Sequence, residues 1–166
     1  MDDKTTEILK CAILMEKRGQ AFYTKVAQQA SGEVVKQFFE MMAEEEKNHI
    51  KILSDQFKAY QEKKAFDIND MADQCESDIA SLILSKQIKS EISAADYEAA
   101  AIAAAMSMEE NAIKLYSERA VAAKDPNEKA LYDWLANWET QHLSFLADID
   151  RDLTEDIWYD QKFWPF

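Results

Sequence analysis

The sequence predicts an all-α fold: a four-helix bundle of two antiparallel helical hairpins joined by a long, partly helical crossover. Three observations predict it. Only two Gly and two Pro occur among 166 residues, and abundant Ala, Glu, Lys and Leu favour long helices over sheet. Apolar residues recur at three- and four-residue spacing along four stretches. The chain also repeats itself. Shifted by the 93 positions that separate Glu16 from Glu109, it places Ala12, Met15, Tyr23, Ala27, Ala30, Lys36, Ala43, Glu46, His49, Leu53 and Asp55 on identical residue types without a gap.

The first helix is expected over about residues 6–30, where Ile8, Ala12, Met15, Gly19, Phe22 and Val26 form the stripe. Ser31-Gly32 breaks it, and a second helix starts near Glu33, carries Phe38, Phe39, Met42, Ile50 and Leu53, and ends near Lys63. So short a turn makes the pair antiparallel, giving hairpin 1 over about 6–63. The crossover, about 65–93, contains a helical pattern from about Met71 to Lys89. Ser93 with Asp96 three residues later resembles a capping box and opens the third helix, which continues to about Ala123. Asp125-Pro126-Asn127-Glu128 is a stronger start, with a cap, a first-turn Pro and an acid. The fourth helix then runs to about Asp150, completing hairpin 2 over about 94–150. The remainder, 151–166, is an aromatic tail expected to fold back on the bundle or fill a subunit interface. A single domain of 166 residues accommodates all of this and buries a core without disulfides.

Composition excludes several classes. A formal net charge of −13 repels nucleic acid and anionic membrane, and no signal peptide or membrane span is visible. Cys11 and Cys75 form no Cys-x-x-Cys, which removes zinc-ribbon and rubredoxin-like iron sites. They are expected to be reduced thiols of a cytoplasmic protein.

The chemistry lies in the repeat. Both histidines of the chain, His49 and His142, occupy equivalent positions, each three residues after a glutamate. Steps of three and seven return to one helix face. Glu46 thus shares a face with His49, and Glu139 with His142; Glu16 shares one with Gly19 and Tyr23, and Glu109 with Ala112 and Tyr116. All sit on apolar stripes, where an unpaired ionised carboxylate costs several kcal/mol. Two divalent cations would cancel four such charges and take neutral imidazoles as further ligands. A lone Glu-x-x-His is weak; two copies in register with two upstream glutamates form a candidate dinuclear metal centre of Glu16, Glu46, His49, Glu109, Glu139 and His142. Glu44, Glu45 and Glu110 lie beside the motif, but their repeat mates are Asn137, Trp138 and Lys17, so they are placed outside the ligand set, in solvent or behind it. Tyr23 and Tyr116, seven residues after a ligand, are expected to reach toward that same carboxylate. Met15 and Met108 are assigned to packing. Gly19 and Ala112 are either a close helix contact or an opening for a small molecule.

The pattern Glu16…Tyr23, Glu46-Lys47-Asn48-His49, Glu109…Tyr116, Glu139-Thr140-Gln141-His142 resembles the ferritin-like di-iron proteins, in particular the erythrin domain of rubrerythrin, over about Ile8 to Leu146. The resemblance implies a ferritin-like fold and two iron ions; Mn or Zn also suit the ligands. It implies Glu46 and Glu139 as bridging ligands and Glu16, Glu109, His49 and His142 as terminal ones. It further implies reduction of hydrogen peroxide or dioxygen, and a homodimer. A ferritin-like ferroxidase and an oxidase of an organic substrate are the alternatives. Two departures matter. Rubrerythrins carry a rubredoxin-like domain with four Cys, which these residues do not supply, so an external electron-donor protein is expected. The extra family glutamate three residues after the third-helix ligand is Ala112 here.

Overall fold

The computed structural model describes residues 4–67, 88, 91–92 and 97–159, and all regular structure among them is helical. The helices are α1, Lys4–Gln29; α2, Glu33–Lys63; α3, Tyr97–Ala122; and α4, Pro126–Tyr159. α1 packs along α2 and α3 along α4, and the hairpins meet along α1 and α3.

The turns follow local chemistry. Gly32 precedes α2 without a side chain to cap it. Glu91, from the crossover, supplies the missing acceptor by taking the backbone N–H groups of Val34 (3.1 Å) and Val35 (3.4 Å). Glu98 takes that of Ser31 at 3.0 Å. α2 ends at Lys64, in the left-handed conformation at φ 53°, with its N–H on Tyr60. At the start of α4, Asp125 Oδ1 accepts from Asn127 N at 2.7 Å and Glu128 N at 3.4 Å, the expected cap. Buried Gln56 pairs with the backbone of Asp67 at the head of the crossover.

One boundary differs from expectation. α4 does not stop near Asp150 but continues to Tyr159, so the first nine residues of the presumed tail are helix. The acidic cluster Asp148, Asp150 and Asp152 hides the period, yet Leu146, Ile149 and Leu153 keep the buried stripe in register. The helical pattern at 71–89 apart from Ile88, the Ser93 cap with Asp96, Cys75 and the final aromatics at 160–166 lie outside the described residues. Cys11 is exposed and unbonded.

The core divides into two apolar clusters. One contains Tyr23, Phe38, Phe39, Met42, Ile88, Ile102 and Leu146, and the other Leu9, Leu53, Phe66, Tyr116, Leu131 and Leu135. Along each helix a few positions separate one cluster from the other. Those positions carry Glu16, Glu46, His49, Glu109, Glu139 and His142, all buried. The bundle is thus two hydrophobic plugs with a layer of carboxylates and imidazoles between them.

Candidate metal centre

Each helix contributes to this layer because a three-residue step keeps the motif on the core-facing stripe. Two sets form. Glu16, Glu46, His49 and Glu139 make one, and Glu46, Glu109, Glu139 and His142 the other; within each, one donor atom per residue lies within 4.8 Å of the rest. Glu46 and Glu139 belong to both. All six residues singled out from the repeat meet here.

Glu139 divides its oxygens between the histidines. Oε1 lies 2.9 Å from His49 Nδ1, and Oε2 lies 3.1 Å from His142 Nδ1. His49 Nδ1 is also 3.6 Å from Glu46 and 3.7 Å from Glu16, and His142 Nδ1 is 3.8 Å from Glu109. Burial opposes charge on both imidazoles, but the carboxylates win. His142 is carried up to about 10 by its bonds to Glu139 and Glu45, and His49 is raised chiefly by Glu139. Burial pushes the Glu16 and Glu109 carboxyls up, helped by the neighbouring acids. Burial would raise Glu139 too, but the two histidines hold it well below the usual range.

These residues fit a metal pair. Glu46 Oε2, His49 Nδ1 and Glu139 Oε1 are buried without a hydrogen bond. His49 Nδ1 and Glu139 Oε1 are close, yet not aligned as donor and acceptor. Buried polar atoms are normally satisfied, and donor atoms aimed at a common third partner have this geometry. The donor set itself, carboxylate oxygen with imidazole nitrogen, suits Fe, Mn or Zn.

Both tyrosines do reach ligand-set carboxylates, but not their own. Tyr23 donates to Glu109 and Tyr116 donates to Glu16, each across the hairpins. Heptad spacing puts a phenol and the glutamate of its own helix on one face, but the crossed partner is the one in front of it. Burial raises the Tyr23 phenol, with Glu109 adding to it, so it remains a donor.

Gly19 faces Glu46. A Cβ there would stand 3.2 Å from Glu46 Cδ and 3.3 Å from Oε1. The small residue therefore makes room for a carboxylate that serves both sets; it is not an opening.

Glu44 and Glu110 are exposed, as expected. Glu45 is buried, and its Oε2 accepts from Trp138 Nε1 at 2.9 Å and lies 2.5 Å from His142 Nε2. Its place behind the ligands was one of two readings the sequence left open, and the break of the repeat at Glu45 and Trp138 was the signal. A cavity of about 200 Å³ lies against His49, lined by Asn48, Ile52, Trp134 and Trp138.

The rubrerythrin family model matches residues 7–150. The chain belongs to the rubrerythrin family. No curated protein sequence and no solved structure is significantly similar to it. A rubrerythrin-family domain together with the buried carboxylate–imidazole cluster is that of a di-metal protein of the ferritin-like class. No helix among the described residues is long and apolar enough to cross a membrane.

Proposed function

We propose that this rubrerythrin-family protein is a cytoplasmic di-iron oxidoreductase that reduces hydrogen peroxide to water with electrons from an external donor protein. The observation that carries the reading is the pair of buried ligand sets sharing Glu46 and Glu139. Glu46 and Glu139 would bridge two ions, with Glu16 and His49 completing one side and Glu109 and His142 the other. Iron held by these residues would supply the two electrons per turnover, by cycling between ferrous and ferric, and would polarise the oxidant.

The chain's own groups set the conditions. The two apolar clusters keep bulk water from the layer, which strengthens every charge interaction inside it. Tyr116 and Tyr23 hold Glu16 and Glu109 by hydrogen bonds from outside the ligand set. Peroxide consumes two electrons and two protons to give two waters. The cavity against His49, about 200 Å³, is smaller than the roughly 300–1,000 Å³ of ordinary small-molecule sites. Its size suits peroxide or dioxygen better than an organic substrate. The net charge of −13 favours a donor protein with a basic face and disfavours nucleic acid or anionic membrane. A homodimer is the expected assembly.

Stopped-flow oxidation of the anaerobic, iron-loaded, reduced protein tests this. Peroxide is expected to oxidise it faster than dioxygen does. Mineral growth in proportion to added Fe(II) would make it a ferroxidase instead, and fewer than two metals per chain would overturn both.

A further inference from the structure

The repeat makes the two halves of the layer equivalent in ligands but not in what stands behind them. Positions 45 and 138 are repeat mates, and across the bundle they meet. Two glutamates there would repel. Glu45 and Trp138 instead form a donor–acceptor pair, indole Nε1 to Glu45 Oε2 at 2.9 Å. The same carboxylate oxygen lies 2.5 Å from His142 Nε2. His142 therefore has Nδ1 toward the carboxylates of the layer and Nε2 against an acceptor, which holds its ring and, once Nδ1 gives up its proton to a metal, keeps the remaining one on Nε2. His49 Nδ1 also faces carboxylates of the layer, those of Glu139, Glu46 and Glu16, but its Nε2 is buried without a partner. Where Glu45 stands behind His142, the Trp138 ring stands edge-on to His49, at 5.8 Å between centroids, and the cavity lies beside it.

We infer that Glu45 is a positioning residue for His142, and that the Glu45–Trp138 pair makes the two metal positions unequal: a tight one at His142 and a loose one at His49. An outer carboxylate orients a ligating imidazole and raises its basicity, and loss of such a partner costs about 10- to 100-fold in metal affinity. The inference rests on the di-metal reading. It goes beyond it, because six matched ligands alone would give two similar positions.

Co(II) titration of the metal-free chain tests it, read by visible absorption and by the hyperfine-shifted imidazole N–H signals in proton NMR. Two binding steps are expected, separated by about ten-fold or more. His142→Ala removes the tighter step and His49→Ala the weaker. Glu45→Gln, whose amide oxygen still accepts but carries no charge, weakens the tighter step by up to about 10- to 100-fold and speeds exchange of its N–H signal, while Glu44→Gln, in solvent, changes neither. Trp138→Phe keeps a ring beside His49 and removes only the bond to Glu45, so it lowers the same step by less; it also reads the effect should Glu45→Gln fail to fold. A single affinity for both ions, or a Glu45→Gln loss falling on the step that His142→Ala leaves behind, would overturn the inequality while leaving the di-metal reading intact. No Co(II) binding at all would overturn both.

Discussion

At the residue scale, Gly19 shows how one missing side chain serves the site. Glycine inside a helix costs up to about 1 kcal/mol against alanine, so a buried Gly19 needs a reason, and the Glu46 carboxylate supplies it. Gly19→Ala puts a methyl 3.2 Å from Glu46 Cδ, and the carboxylate must give by a few tenths of an ångström. The metal-free variant is expected to melt at or slightly above the parent temperature, from helix propensity. Its affinity for both ions falls, because Glu46 belongs to both sets. Isothermal titration beside thermal melts checks this; a stabilised variant with unchanged affinity would show that Glu46 adjusts freely. The six ligand candidates were legible because identity at a fixed offset and burial on an apolar stripe constrain the same positions. The crossed tyrosine bonds were not, since helix spacing tells which face a phenol lies on and nothing of which neighbouring helix fills the space before it.

At the element scale, the hairpins were legible to within a few residues wherever a turn has its own chemistry. Ser31-Gly32 and Asp125-Pro126 each end one stripe and begin another. Where no such signal exists the sequence misleads: α4 passes through Asp148, Asp150 and Asp152 because Ile149 and Leu153, beside them in sequence, remain buried. The capping of α2 was invisible for another reason, since Glu91 acts from a segment distant in sequence. α4 carries its cap locally. Asp125→Ala removes the acceptor of two backbone N–H groups and is expected to cost about 0.5–2 kcal/mol. Denaturant unfolding at constant m-value measures it, and a change near zero would mean that solvent serves those groups equally well.

At the scale of the whole molecule, the polar layer between two apolar clusters sets how stability depends on pH, and the sign depends on the metal. In the metal-free chain Glu16, Glu109, His49 and His142 all bind protons more tightly folded than unfolded. The carboxyls lose stability as pH rises from the unfolded value of about 4.3 through their raised folded values. The histidine contribution is complete below about 6.5 and is lost as pH rises through the folded values, about 10 for His142. Glu139, held low, runs the other way: its contribution is present above about 4.3 and lost as pH falls. All shifts above about 6.5 therefore act in one direction. Metal ions replace the protons and require the ligands deprotonated, so they act oppositely. The melting temperature of the metal-free chain is expected to fall from about pH 6 to pH 9, while its gap from the metal-loaded form widens. Paired melts with and without chelator measure both. A metal-free chain that grows more stable across that range would mean that these carboxylates and imidazoles are not the buried, proton-holding layer that the fold places between its two hydrophobic clusters.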